Sequence, residues 1–385
     1  MSTSVNQAAA KGWFEPQRLA QARNARGLTQ PALQALIGTS VSTISKWEKG
    51  HSQPDPEAIL KLSKALSMPE RWFAKPVKES DAVHLFRSNA AVTQSARRVA
   101  KTRLYWAHEL CESLHEWIEP PALNIIEPLS REQALMLDDS GIERLANDLR
   151  KLWGLGTRPI KNLIALIEAN GIVVVKEPFG YEGMDGVSTW YDRPFIWVSS
   201  DKENFFRSRF DVAHELGHIL MHRNLLEKDC SGNRFKIVED QAFRFAAYFL
   251  MPSDAISRSL RVVTLDSLVM EKRHWGVSVA ALIMQYTQLG IINEEHKTRL
   301  FRNYSYRKWR MGEPFDDMIS PEEPMALADM MQTLLRDGGF THDDILEKTA
   351  LWQQDLKSLC SLPDDFFSSE TEKNALKRRS NLRVV

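Results

Sequence analysis

The sequence is poor in cysteine, has no long apolar run and carries no excess of charge of either sign. Its three cysteines, Cys111, Cys230 and Cys360, are few, odd in number and widely spaced in 385 residues. Such a set excludes a disulfide framework and a cysteine-based zinc knuckle, and fits a reducing, cytoplasmic setting. No apolar run approaches the roughly 18 residues that a membrane span needs, so no membrane partner is expected. The opening MSTSVNQAAAKGWF lacks the apolar stretch of a signal peptide. Lys and Arg together (50) equal Asp and Glu together (50). Any affinity for nucleic acid must therefore come from a local patch rather than from overall charge.

What is present falls into stretches of different character. Residues 15–70 read as a compact helical unit. RLAQARNARG is helical and stopped by Gly27, Thr29 caps QPALQALI, and Gly38 ends that helix. Thr39 or Ser40 caps SVSTISKWEKG, and PDPEAILKLSKAL follows with Ile59, Leu62 and Leu66 at helical spacing. Residues 75–135 read as helices with a hinge. From about 140 the pattern mixes helix and strand. GIERLANDLRKLWG and IKNLIALIEANG are amphipathic helices, whereas GIVVVKEPF and PFIWVSS are β-branched and aromatic runs that predict strands. The expected domains are 1–75, a connector at 76–138, a mixed domain at 139–295, and a helical region at 296–385 with the basic tail LKRRSNLRVV. The fold class is α+β and mainly helical, with a small sheet.

Within the first domain the helix–turn–helix spacing places one helix to enter a DNA major groove. Ser42, Ser45, Lys46 and Lys49 face outward, while Ile44 and Trp47 face Leu28, Leu33 and Leu36. Lys46 suits guanine acceptors and Ser42 suits either base edge, with Gln30 and Thr43 placed for phosphates beside the helix start at Ser40. Between residues 11 and 50 six basic residues stand against two acidic ones, a local charge of 6 − 2 = +4. Such units usually bind double-stranded operator DNA as dimers. Arg87, Arg97, Arg98, Lys101 and Arg103 are further candidates for phosphate contact. A second stretch, HWGVSVAALIMQYTQLGII, has similar spacing but is so apolar that it reads as core.

The chemistry lies in FDVAHELGHILMHRN, residues 210–224. His214 and His218 are four apart and share one helix face, so both imidazoles can reach one ion. Glu215 is one step round the helix, placed to take a proton from water rather than to ligate. A catalytic zinc site takes three protein ligands, and two candidates for the third exist. His222 continues the stripe, but a straight helix puts it about 12 Å from His214 along the axis, which favours a supporting role. Glu239 opens the next helix and can fold back toward the pair, with Asp240 a weaker alternative.

RFDVAHELGHILMH followed by VEDQAFRFAAYFLMP resembles the ImmA/IrrE metallopeptidases, in which the HExxH helix precedes a helix of the form E-x-x-A-x-x-F-A…L-M-P. Glu239, Ala242, Phe245, Ala246, Met251 and Pro252 stand at the matching positions. The resemblance reaches from about 140 to 360, through the strand PFIWVSS and the segment FRNYSYRKWRMGEPFDDMI. It implies a zincin-like domain with His214, His218 and Glu239 as metal ligands, Glu215 as catalytic base, and Zn2+ as cofactor, with Mn2+ also able to fill the site. The N-terminal unit resembles the lambda-repressor-like, Xre-type helix–turn–helix. Together these imply a protease that cuts a repressor or other regulatory protein in bacterial or phage gene control. Two other readings stand beside it: a DNA-binding regulator whose peptidase-like part is a sensor or a vestige, and a module whose N-terminal head restrains the peptidase.

Overall fold

Helix caps and glycine stops set the elements much as the local chemistry requires, in a computed structural model that describes residues 13–78, 84–88, 94–181, 184–201, 204–230, 232–259 and 262–368. The described residues pack as two compact units. One draws on Met1–Asp81, Ala91–Pro120 and Met325–Val385, the other on Ala82–Ala90 and Pro121–Pro324. The expected connector and C-terminal region are thus each divided between the two units. The basic tail LKRRSNLRVV lies outside the described residues.

The first unit begins with α1 (Pro16–Ala25), α2 (Gln30–Ile37), α3 (Val41–Glu48) and α4 (Pro56–Leu66). Thr29 accepts a hydrogen bond from the Ala32 amide and Ser40 from the Thr43 amide, so each hydroxyl closes the start of its helix. Gly38, at φ 72°, turns the chain between α2 and α3. Leu19, Leu33, Ile37, Ile44 and Trp47 are buried. Leu36, expected to face Trp47, is instead 58% exposed, because the helical turn gives the inward place to Ile37. The 22-residue α5 (Gln94–His115) packs on α1. In it Arg103 is buried and paired to Asp355 at 2.6 Å, which removes it from the residues open to phosphate. Arg97, Arg98 and Lys101 are exposed.

Three ion pairs engage the arginines of the N-terminal head. Arg18 is fully buried and donates to both carboxylate oxygens of Glu109. Arg23 meets Glu48 at 2.6 Å, and Arg26 donates to both oxygens of Asp355 at 2.7 Å. The local charge of +4 is therefore largely internal, while Lys46 on α3 and Lys49 just past its end are exposed, as are Lys61, Lys64 and Arg71 further along the head.

The second unit holds a four-stranded sheet in the order β1-β3-β4-β2. Its strands are β1 (His84–Ser88), β2 (Val173–Glu177), β3 (Met184–Trp190) and β4 (Pro194–Ser199). β3 is antiparallel to both β1 and β4, and β2 runs parallel to β4. β2 and β4 match the two predicted strands. β1 and β3 were not expected, and MDGVSTW has the glycine, aspartate and serine of a loop. Around the sheet lie α6 (Arg131–Leu135), α7 (Asp139–Leu152), α8 (Leu163–Ala169), α9 (Phe205–Met221), α10 (Asn233–Leu250), α11 (Ser253–Ile256), α12 (Leu265–Trp275), α13 (Val279–Gln288) and α14 (Glu294–Tyr306). The second helix–turn–helix-like stretch forms α12 and α13, with Trp275, Val277, Val279, Leu282 and Ile283 in the core, as its apolarity implied. α15 (Ala326–Arg336), α16 (His342–Thr349) and α17 (Gln353–Leu359) complete the first unit.

Buried ions pin the helix that matters most. Arg209, in the first turns of α9, pairs with Glu322 and donates to the Ile160 carbonyl at 2.8 Å. Glu322 also accepts from the Leu163 and Ile164 amides, so its charge sits at the start of α8, where the helix dipole favours an anion. Among the described residues no helix is long and apolar enough to cross a membrane.

Candidate metal centre

α9 and α10 are neighbours, and their close approach has a local cause. A Cβ on Gly217 would come within 2.9 Å of the Phe245 ring. The glycine inside HELGH thus lets the aromatic side chain of α10 press against α9. α10 begins at Asn233, so Glu239 lies in its second turn rather than opening the helix as expected. That extra turn carries Glu239 up beside the histidines.

The Nε2 atoms of His214 and His218 are 3.0 Å apart. Glu239 Oε2 is 3.4 Å from His214 Nε2, and Oε1 is 3.3 Å from His218 Nε2. One donor atom from each of the three lies within 4.8 Å of the others, the arrangement a single ion would bridge. Both histidines are buried and Glu239 is half-buried. Burial alone would push the Glu239 carboxyl up, but the two imidazoles beside it, His214 and His218, prevail and hold Glu239 well below the usual carboxylate range. His222 is not one of the converging groups, and Asp240 is exposed.

His222 supports the cluster through a hydrogen-bond chain whose polarity can be worked out from its far end. The Gln241 amide nitrogen faces two backbone carbonyls, Leu137 at 3.1 Å and Ala134 at 3.4 Å, so it donates to them. Gln241 Oε1 must then accept, and it accepts from His222 Nε2 at 3.0 Å. Burial first, then the neighbouring His218, holds His222 well below the ordinary imidazole value, so the ring is neutral and carries one proton. That proton is on Nε2, which leaves Nδ1 to accept from His218 Nδ1 at 2.8 Å. With its proton on Nδ1, His218 turns the bare lone pair of Nε2 toward His214 and Glu239. Two imidazole nitrogens and a carboxylate, one of them held in the ligating tautomer by a second residue, form a donor set that suits Zn2+.

Glu215 is fully buried and lies against β3 at Gly186. Its carboxylate fills the space that any other residue's Cβ would occupy. A cleft of about 370 Å³ is lined by Asp185, Phe210, Asp211, Phe243 and Met284 among others. Phe210 is one helical turn before His214, Phe243 is one turn after Glu239, and their rings are 4.8 Å apart.

The comparisons with known proteins cover this part of the chain. Residues 167–287 match a peptidase family model described as an IrrE N-terminal-like domain. Residues 19–73 match a model described as helix-turn-helix. The chain carries an IrrE-like domain behind a helix–turn–helix domain. The IrrE-like match spans α9, α10, the three converging residues and strands β2 to β4, and is shorter than the 140–360 range expected from the sequence. No curated protein matches the chain.

In the helix–turn–helix domain, Ser42 and Lys46 are exposed on α3 and Lys49 just past its end. Ser40 and Thr43 share a 2.8 Å hydrogen bond and both serve the helix start. Gln30 turns inward and donates to Glu48 at 2.7 Å, which draws its amide toward Glu48 and Arg23. Sequence reasoning missed Gln241 and Gly186. Neither is a residue type that announces a role, and each acts only through a neighbour supplied by the fold.

Proposed function

We propose that the protein is a zinc-dependent endopeptidase whose substrate is a repressor or other regulatory protein, and that its helix–turn–helix domain binds operator DNA. The observation that carries the reading is the meeting of His214, His218 and Glu239 with Glu215 buried beside them. These three residues would hold Zn2+, which supplies Lewis acidity at the scissile carbonyl and eases deprotonation of water. Glu215 takes the proton from the attacking water and passes it to the leaving amine nitrogen. His222 and Gln241 keep His218 in the tautomer that ligates. The cleft lined by Phe210 and Phe243 receives a substrate side chain beside the scissile bond. On the DNA side, Lys46 and Ser42 meet base edges and Lys49 meets phosphate, with a homodimer reading two half-sites.

Elemental analysis of the purified chain tests the metal reading. About one zinc per chain is expected, lost in His214→Ala and in Glu239→Ala. Glu215→Gln should keep its zinc and lose cleavage of a co-expressed regulator. Loss of zinc along with activity in Glu215→Gln would mean that the base has been misassigned.

A further inference from the structure

β3 is the strand closest to the proposed base. Gly186 faces Glu215 so tightly that a Cβ there would lie 3.0 Å from Glu215 Cγ. One side of β3 is taken by β4, with Gly186 opposite Val198. The other side is taken by β1, with Arg87 opposite Gly186. β1 is therefore the next extended segment out from the residue beside Glu215.

A peptide awaiting hydrolysis is bound extended, and the general way to hold an extended peptide is to add it to a sheet edge through main-chain hydrogen bonds. Without β1, β3 would be such an edge, running past Glu215 with a row of unpaired amides and carbonyls. The segment that covers it is unusual in origin. The described residues on either side of it, up to Lys78 and from Gln94, belong to the first unit, whereas His84–Ser88 belongs to the second. The strand is five residues long, and its register shifts between Arg87 and Ser88, beside the Gly186 position. A short strand with irregular pairing, added at the margin of a sheet, is among the least costly elements to detach.

We propose that the β1 side of β3 is the strand-accepting edge for a polypeptide substrate, and that His84–Ser88 is a built-in occupant that substrate must displace. The inference rests on the peptidase reading, to which it adds how substrate binds and how access to the base is restrained. The occupant is tethered, so it competes at an effective concentration of about a millimolar. A free peptide at micromolar concentration is then excluded from the intact chain.

The test uses the full-length chain and two variants. Phe86→Pro removes an amide from the middle of β1, and in the second variant His84–Ser88 is replaced by Gly-Ser-Gly-Ser-Gly. Zinc content and near-UV circular dichroism report whether each is folded, and the second variant serves if the first is not. The binding probe is a fluorescent synthetic peptide covering residues 82–90, AVHLFRSNA. The variants should bind it at least about tenfold more tightly than the wild type, given the tether. Their β3 amides that face away from β4 should exchange hydrogen faster, and added peptide should restore protection. Cleavage of fluorescent unfolded casein should rise in parallel. Equal peptide binding and unchanged β3 exchange in wild type and variants would overturn the proposal. Tighter binding and restored protection, with no cleavage by any of the proteins, would uphold the strand-accepting edge and sink the peptidase reading instead.

Discussion

Gly186 and Glu215 fit together because one has no side chain: a Cβ at 186 would sit 2.7 Å from Glu215 Oε1. The strand thus sets where the carboxylate can lie. In Gly186→Ala the carboxylate must move, while the three converging residues on α9 and α10 are untouched. Misplacing a reacting group by about 1 Å costs on the order of a hundredfold in rate. Gly186→Ala is expected to lose about that much in kcat and to keep its zinc; unchanged kcat would show that the carboxylate position is not set by β3.

The Gln241–His222 chain makes a separate prediction about affinity. Gln241→Leu keeps the shape and removes the acceptor for His222 Nε2. His218 then loses the partner that fixes its tautomer. Changes to such supporting residues cost about 10- to 100-fold in metal affinity. Competition with a graded chelator series should place the zinc affinity of Gln241→Leu that far below wild type, and an unchanged affinity would assign His222 to packing alone.

Asp355 gives the first unit a defined response to acid. Burial raises its carboxyl, but the hydrogen bond and charge of Arg26 and the charge of Arg103 prevail, leaving it lower than an ordinary aspartate. A depressed folded-state value means that the stabilisation is complete above the unfolded value of about 3.9 and is lost as pH falls through the folded one. Asp355→Asn leaves two arginines without their anion, and breaking a buried pair in this way costs about 3–5 kcal/mol. Urea unfolding at pH 7 should show that loss. As pH drops below about 4 the wild-type curve should fall toward that of the variant.

DNA binding should depend on few charges, because Arg18, Arg23 and Arg26 are engaged with Glu109, Glu48 and Asp355. Lys46→Ala is expected to cost about 1–3 kcal/mol on its operator and to relax base preference. Lys49→Ala should weaken binding to all sequences alike and reduce the salt dependence by about one unit of slope. Gel-shift titrations across a salt series separate the two, and equal effects on specific and random DNA would remove Lys46 from base recognition.

Much of this was legible in the sequence because it is local. Thr29, Ser40, Gly38 and Gly50 act within a turn of their own position, so the head could be laid out residue by residue. The HELGH spacing likewise fixes the relation of His214 to His218 on one helix. What could not be read depends on distant partners. β3 looks like a loop because its glycine is required by Glu215 from another element, not by a turn. β1 pairs across a separation of about 100 residues that no periodicity signals. Arg26 reads as surface charge until its partner, 329 residues later, is known. Leu36 and Ile37 are one step apart on an apolar stretch, and only the packing of α2 on its neighbours decides which of the two turns inward.

That separation of 329 residues also sets an order of events on the ribosome. Synthesis at about 5–20 residues per second puts tens of seconds between the emergence of Arg26 and that of Asp355. Through that interval the whole of Pro121–Pro324 is made, while Arg26 and Arg103 wait for their anion. The peptidase-like unit can therefore close before the first unit does. A nascent chain halted before Asp355 would carry a finished second unit joined to a head that still lacks its last clasp.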